Sequence, residues 1–233
     1  MKMLTLIPAR GGSKRLPGKN LKQLGGKPLI NWTIEVARDI PEVFEILVST
    51  DSPEIAKVAK SAGAHVPWLR PTELSTDDAS SVDVAIHALN WYQDEAESID
   101  GLLLLQPTSP FRSKEMISAG IEIFQKSSKK TVVGVHKLSK PIEWSMRIMD
   151  GHLKPVYDWE SVGQRSHNVT DTYIVNGSFY LIEPELLLST RSFFQPLTLP
   201  LIISDDKSQL DIDTESDFRL AEFYLHQDMK GTK

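Results

Sequence analysis

The sequence predicts an α/β fold in which a mostly parallel sheet is covered by helices on both faces. Short apolar runs alternate with longer segments of helical periodicity through most of the 233 residues, which is the order of elements that builds parallel sheets. Residues 102–105 are four consecutive leucines, so a strand there has no solvated face and must be buried on both sides. The length suits one domain, with room for a modest insertion.

Each element is predicted from its local pattern. Residues 4–7 are apolar and run directly into a turn-rich segment, as a buried strand does. A helix at 53–61 would have Ser52 as its N-cap and a proline at its first position. Apolar runs predict three further strands at 44–48, 102–105 and 132–135. Amphipathic spacing predicts four further helices at 28–38, 80–93, 113–124 and 214–226.

The segment 137–180 differs from the rest of the chain because it has no helical periodicity. Tryptophans, prolines, Gly151 and Gly163 divide it into short extended pieces. We interpret it as a β-rich insertion that forms a lid or an oligomerisation arm. The predicted domain organisation is therefore a core of residues 1–136 and 181–233 with one insertion at 137–180.

Composition excludes several classes of protein. The net charge is -5 and the pI about 5.7, which argues against general affinity for nucleic acid. The chain has no cysteine, so disulfides, thiolate metal sites and cysteine nucleophiles are excluded. No apolar run approaches the length of a membrane span, and the first ten residues resemble a strand with a proline more than a signal peptide. We expect a soluble, cytoplasmic protein that contacts no membrane.

The segment that follows the first strand, residues 8–20, has the composition of a phosphate-binding loop. Gly11 and Gly12 are adjacent, which allows a tight turn and lets backbone N–H groups point at an anion. It is not a Walker A loop, and its glycines lack the dinucleotide-binding spacing. A basic surface turn is the alternative. The cationic side chains of the loop are Arg10, Lys14, Arg15 and Lys19.

Near the other end of the chain, Asp211-Ile212-Asp213 is a candidate magnesium site. In an extended segment both carboxylates would share one face and Ile212 would turn into the core. Magnesium binds through one or two carboxylates while keeping waters and substrate phosphate oxygens. The alternative is that Asp213 only caps the last helix.

These motifs together resemble the acylneuraminate cytidylyltransferases, the enzymes that make CMP-sialic acids. The matching blocks occur in the family's order and span residues 3 to about 220. The resemblance implies a three-layer α/β/α nucleotidyltransferase-like fold with a small β-rich dimerisation arm, and hence a homodimer. The blocks are 7–14, 19–20, 48–51, 69–71, 79–81, 105–110 and 211–214.

The resemblance also implies a reaction and a set of residues. The activity would be magnesium-dependent transfer of CMP from CTP to the anomeric hydroxyl of an acidic nine-carbon sugar, with release of pyrophosphate. The implied catalytic residues are Lys19 and Arg10. The implied nucleotide-binding residues are Arg10, Gly11, Ser13, Lys14, Asn20, Arg70, Ala79 and Ser81. The implied sugar-binding residues are Gln106, Arg165 and Asn176, and the implied metal ligands are Asp211 and Asp213.

One departure from the family pattern concerns the sugar. Enzymes that use N-acetylneuraminate commonly carry Arg-Pro just before Asn-Gly, whereas this chain has Ile174-Val175 before Asn176-Gly177. An apolar residue there suits a sugar with a deoxy, methyl-ended tail. We therefore expect legionaminic or pseudaminic acid to be a better substrate than N-acetylneuraminate.

Three other functions compete with this interpretation. A CMP-Kdo synthetase would share the fold and a related opening, but Asn20 and Gln106 favour the acylneuraminate branch. A sugar-1-phosphate nucleotidyltransferase would typically have a longer glycine-rich opening. A catalytically silent nucleotide-binding protein on the same fold would be favoured by loss of Lys19 or of an aspartate at 211 or 213, and all three residues are present.

Overall fold

The computed structural model describes residues 1–95, 98–127, 131–165 and 169–231. Its strands are β1 (Met3–Pro8), β2 (Gln23–Leu24), β3 (Lys27–Pro28), β4 (Val43–Ser49), β5 (Gly101–Leu104), β6 (Thr131–Lys137), β7 (Met146–Met149), β8 (His152–Pro155), β9 (Tyr173–Ile182) and β10 (Leu199–Ile202). Its α-helices are α1 (Leu29–Arg38), α2 (Pro53–Ser61), α3 (Ser81–Glu95), α4 (Lys114–Lys126), α5 (Trp159–Val162), α6 (Pro184–Thr190) and α7 (Glu215–Gly231). Single 3-10 turns lie at Lys19–Leu21, Thr72–Leu74 and Ile142–Trp144.

Six strands form the central sheet in the order β10-β6-β9-β5-β1-β4. β1 runs parallel to β4 and β5, and β10 runs parallel to β6. β9 is antiparallel to both of its neighbours, β5 and β6. The other five strands therefore share one direction, and the prediction of a mostly parallel sheet is confirmed.

Alternate residues of β1 enter the two halves of the core. Met3 and Ile7 face a cluster that includes apolar side chains of α1, α2 and α4, whereas Leu4 and Leu6 face a cluster with α3 and α6. Because side chains of a strand point alternately to opposite faces, these two clusters lie on opposite sides of the sheet. The predicted three layers are confirmed.

The predicted elements are all present, with small differences at their ends. The helix at 53–61 matches α2 at both bounds, and the Ser52 Oγ accepts a hydrogen bond from the Ile55 N–H at 3.3 Å, as an N-cap does. The last helix extends further than predicted, to Gly231. Helix α6 and strand β10 were not predicted, because each is too short to show a clear periodicity.

The segment between β6 and β9, residues 138–172, is called the arm below. It contains the hairpin of β7 and β8 and the single turn of α5. The hairpin turns at Asp150 and Gly151, which both have positive φ (53° and 75°), as a two-residue type I′ turn requires. Within the described residues, no helix has the length and apolar character needed to span a bilayer.

The segment predicted as the insertion, 137–180, ends inside the central sheet, because β9 begins at Tyr173 and pairs with β5 and β6. Asn176-Gly177 resembles a hairpin turn in the sequence. In the structure Gly177 has a φ of 75°, and the register of β6 with β9 shifts nearby, between Val133 and Val135. The pair therefore forms a bulge within a continuous strand.

Candidate active site

A cavity of about 540 Å³ opens where β1 and β5 end, at the edge of the sheet where ligands bind in open α/β folds. Segments far apart in sequence line it: the loop after β1, the approach to α3, the loop after β5, and the segment before α7. Ten residues predicted for the site line this one cavity. They are Arg10, Ser13, Lys14, Lys19, Asn20, Arg70, Ala79, Ser81, Gln106 and Asp213.

Residues 8–20, called the phosphate loop below, are held in shape by the chain itself. The Gly11 N–H donates to Asp51 Oδ1 at 2.8 Å, and a Cβ at Gly11 would lie 3.2 Å from the Ser52 Cβ. Gly11 thus serves the packing of the loop and does not line the cavity. The Asn20 side chain donates to the Arg10 carbonyl at 2.9 Å, which fixes the backbone beside the cationic side chains.

Lys19 joins the phosphate loop to the acidic segment near the C-terminus. It follows Gly18, whose φ of 67° begins the 3-10 turn, and its side chain is buried. The Lys19 Nζ donates to the Ile212 carbonyl at 2.8 Å and to Asp213 Oδ1 at 2.9 Å. The predicted catalytic lysine and one predicted metal ligand are therefore in direct contact, although 194 positions separate them.

The two aspartates of the predicted metal site have different surroundings. Asp213 lines the cavity and pairs with Arg15 at 2.6 Å as well as with Lys19. Asp211 lies behind the cavity lining, and its Oδ1 is buried without a hydrogen-bond partner among the described residues. Burial raises the pKa of Asp211; the Thr108 hydroxyl lowers it by a smaller amount, and the charge of Asp213 raises it. Between them Ile212 is fully buried, as predicted.

The charge of the cavity lining is predominantly positive. Five cationic side chains and two carboxylates are found among its described residues, so an anionic ligand is favoured over a neutral one. One of the carboxylates, Asp77, was not predicted. It pairs with Arg10 at 2.7 Å and with Lys14, and the hydrogen bonds from Lys14 and Arg10 lower the pKa of Asp77. The two cations predicted to bind phosphate are thus paired with an acidic side chain.

Arg70 lies at another wall of the cavity, with Ala79 and Ser81. Its Nε donates to Ser49 Oγ at 2.9 Å and its Nη2 to the Ser49 carbonyl. Burial lowers the pKa of Arg70 to about 10. The guanidinium is therefore anchored at the end of β4, where a flat base could lie beside polar groups of both arginine and serine.

The three residues predicted to bind the sugar are not brought together. Gln106 lines the cavity, and a Cβ placed on Gly177 would lie 3.4 Å from its Oε1. Asn176 is buried behind it, where its Oδ1 accepts from the Ser178 Oγ at 2.7 Å and its Nδ2 has no partner among the described residues. Arg165 is exposed in the arm and does not line the cavity.

Sequence reasoning also missed Arg112, which is buried next to the site. Its guanidinium donates to Thr33 Oγ1, to the Ser178 carbonyl and to the Gln106 carbonyl. Burial lowers the pKa of Arg112 to about 9. The only signal in the sequence was its place two positions after the Gln-Pro-Thr-Ser-Pro motif at 106–110, which by itself does not indicate a buried side chain.

The candidate donors for a hard cation are the carboxylates of Asp211 and Asp213. No group of three or more His, Cys, Asp or Glu able to hold a metal occurs among the described residues. Two carboxylates are nevertheless enough for magnesium, which keeps several waters and takes phosphate oxygens. The buried, unpartnered Oδ1 of Asp211 is an acceptor of the required kind.

Comparisons with known proteins agree with the geometry. The model of the family described as cytidylyltransferase matches residues 4–163. The CMP-N,N'-diacetyllegionaminic acid synthase of Legionella pneumophila is 41% identical over 95% of each chain. The N-acylneuraminate cytidylyltransferase of Escherichia coli is 37% identical over 94% of this chain and 51% of its own length.

Among solved structures, a CMP:2-keto-3-deoxy-manno-octonic acid synthetase complexed with CTP superposes with a TM-score of 0.72. It covers 98% of this chain and 100% of its own, at 19% identity. At that identity the match establishes the fold alone.

Proposed function

The chain belongs to the cytidylyltransferase family, and from this premise we propose that it transfers CMP from CTP to the anomeric hydroxyl of a nonulosonic acid, with release of pyrophosphate. The observation that carries the proposal is the convergence of ten predicted residues on one cationic cavity. The same cavity has Gln106 at one wall for an acidic sugar and Arg70 with Ser81 at another for the base.

In the reaction the sugar hydroxyl oxygen forms a bond to the α-phosphorus of CTP. The bond from that phosphorus to the bridging oxygen of pyrophosphate breaks, and the hydroxyl proton leaves to solvent. Arg10 and Lys14 would bind the triphosphate, and Lys19 would stabilise the charge that develops at the α-phosphate. Such positioned charges lower the barrier because they need no reorganisation when the reaction occurs.

Magnesium is part of the proposal, with Asp211 and Asp213 as its protein ligands. When bound, the ion would neutralise phosphate charge and orient the triphosphate. Asp213 is held by Lys19 and Arg15, so its carboxylate is already fixed at the cavity wall. The orphaned oxygen of Asp211 supplies the second acceptor.

The sugar of the proposal is a 9-deoxy nonulosonic acid of the legionaminic type. Two observations support this choice. The legionaminic acid synthase is more similar to this chain than the N-acylneuraminate enzyme is, at 41% against 37% identity. Ile174 stands on β9, two positions before Asn176, outside the lining of the cavity and with 46% of its surface exposed. Its apolar side chain would therefore contact only a sugar tail that extends beyond the cavity.

A homodimer formed through the arm completes the proposal, with the enzyme acting in the cytoplasm, where CTP is made. Seven of the eighteen large hydrophobic side chains exposed in the described residues lie in the arm. Large apolar side chains left exposed in one segment are typical of a protein interface. The seven side chains are Trp144, Ile148, Met149, Leu153, Val156, Tyr157 and Trp159.

The test is a pyrophosphate-release assay with CTP and magnesium across legionaminic, pseudaminic and N-acetylneuraminic acids and Kdo. We expect the largest kcat/KM with a 9-deoxy sugar, by about tenfold over N-acetylneuraminate, because an arginine contact is missing there. The Ile174→Arg variant should shift preference toward N-acetylneuraminate. No release with any nonulosonic acid would contradict the proposed function, and preference for Kdo would assign the chain to the other branch.

A further inference from the structure

We propose that Arg112 is a positioning residue for the sugar: its guanidinium ties the loop that carries Gln106 to strand β9 and so fixes the sugar-binding wall of the cavity. The inference rests on the proposed function, since it assigns a role within the same site. Arg112 does not line the cavity itself, so it would act through Gln106 and β9 and not by touching substrate.

The three hydrogen bonds of Arg112 reach three different elements. Its Nε donates to the Ser178 carbonyl of β9 at 2.7 Å, and its Nη1 donates to Thr33 Oγ1 of α1 at 3.0 Å. Its Nη2 donates to the carbonyl of Gln106, six positions earlier in the chain. The three acceptors are contacted by three different nitrogens of the planar guanidinium. An ammonium group has three donors on a single nitrogen, so it does not reproduce this fork.

Both main anchors of Arg112 lead to residues predicted to bind the sugar. The Gln106 carbonyl belongs to the residue whose side chain lines the cavity. The Ser178 carbonyl lies on the bulge of β9, next to Gly177, where a Cβ would come within 3.4 Å of Gln106 Oε1. A shift of either anchor would therefore change how the Gln106 side chain, which lines the cavity, is backed by β9.

The burial of the Arg112 charge disfavours the folded state, so core packing does not explain this residue. Only 5% of the residue is exposed, and no salt bridge to it occurs among the described residues. The charge of Asp211 offsets its burial only in part, since the pKa of Arg112 is still lowered to about 9. A buried charge without an ion-pair partner is expensive, and an apolar side chain of similar volume is often tolerated better. A guanidinium that donates to three carbonyl or hydroxyl oxygens instead fixes an orientation, which points to positioning and not to core packing.

The first measurement compares Arg112→Lys with wild type in steady-state kinetics for both substrates. The lysine keeps the charge but cannot reach three acceptors on three elements. We expect the KM for the nonulosonic acid to rise about tenfold, while the KM for CTP changes by less than about threefold. The Arg38→Lys variant is the matched control, because Arg38 is exposed and away from the cavity lining; it should change neither KM.

A double-mutant cycle with Gln106→Ala tests whether Arg112 acts through Gln106. If it does, Arg112→Lys should add little to the sugar KM once Gln106 is truncated, because coupled residues are not additive. Additive effects would overturn the proposal. So would equal changes in both KM values, or a lower melting temperature with both KM values unchanged.

A second variant covers the case in which Arg112→Lys does not fold. Thr33→Val removes one acceptor of Arg112 and keeps the shape of a fully buried side chain. It should raise the sugar KM about threefold without changing the CTP KM; no change in the sugar KM would overturn the proposal. The wild-type assay separates the two proposals: if wild type uses no nonulosonic acid, the proposed function fails, and if it does while the variants match it, only the positioning role fails.

Discussion

In the phosphate loop, polar side chains are held by partners within the same chain, whereas in the arm apolar side chains stand exposed. Asn20 is bound to the Arg10 carbonyl, and Lys19 to the Ile212 carbonyl and Asp213. In the arm, Ile148 is 79% exposed and Trp159 is 65% exposed. In the proposed function the phosphate loop serves the nucleotide, and the arm serves contact with the second subunit.

This difference between the two regions indicates which parts of the protein are stable in a single subunit. A charged loop is stable alone when backbone carbonyls and opposite charges satisfy its side chains. An apolar patch is stable only when another surface removes it from water. We therefore expect the phosphate loop to bind CTP in a single subunit. The exposed apolar side chains of the arm should need a second copy of the chain to cover them.

The strongest test of the phosphate loop is the Lys19→Met variant. Loss of the buried Nζ removes the cation expected at the α-phosphate, so kcat should fall about a hundredfold to a thousandfold. Lys60→Met is the control, because Lys60 is exposed on α2 and its loss should leave kcat unchanged. Steady-state kinetics and a melting curve measure both variants, and a folded Lys19→Met protein with normal kcat would contradict the assigned role.

The proposed magnesium site is tested by the Asp213→Asn variant. We expect kcat/KM to fall about a hundredfold, because groups that only orient metal ligands already contribute tenfold to a hundredfold. Higher magnesium should recover part of the rate, which a purely structural aspartate would not allow. Asp206→Asn, at an exposed position just before this segment, should behave as wild type. An unchanged magnesium dependence in Asp213→Asn would exclude it as a ligand.

The arm is tested by Ile148→Asp, which places a charge on its most exposed apolar side chain. If a second copy covers this position, burying the charge should weaken the dimer about tenfold or more, as measured by sedimentation across protein concentrations. Leu220→Asp is the control, since Leu220 is 41% exposed on α7, outside the arm. A wild-type monomer at micromolar concentration would refute the interface. CTP binding should survive in the monomeric variant, and its loss would break the distinction between the two regions.

The smallest expected effect concerns Asp77, which pairs with Arg10 and Lys14 in the phosphate loop. Asp77→Asn should lower the KM for CTP about threefold, because exposed ion pairs contribute little and the competing carboxylate is removed. The hydrogen bonds from Lys14 and Arg10 lower the pKa of Asp77. The carboxylate therefore stays ionised at pH values where an ordinary aspartate is already protonated, and the pairing is lost only as the pH falls through the lowered pKa.

The Asp77→Asn effect should therefore be constant between about pH 6 and 9. Asp78→Asn, the adjacent exposed aspartate, is the control and should leave the CTP KM unchanged. A higher KM for CTP in Asp77→Asn would show that Asp77 assists nucleotide binding instead of competing with it.

Much of the core was predictable because its elements depend on residues a few positions apart. The leucines of β5 and the N-cap of α2 are examples, since each pattern is complete within one element. The phosphate loop was also predictable, because its glycines and cations are neighbours in the chain. The bulge of β9 was not, because Asn176-Gly177 has the composition of a turn and only its pairing with β6 keeps the strand continuous.

The periodicity of the core elements, the cationic phosphate loop and the family are all evident from the amino-acid sequence. Three contacts become visible only in the folded chain: Lys19 with Asp213, Asp77 with the cations of the phosphate loop, and Arg112 with both Gln106 and β9. The reason is physical: periodicity follows from local backbone geometry, whereas contacts between residues far apart depend on the order of strands in the sheet and on which side chains that order buries together.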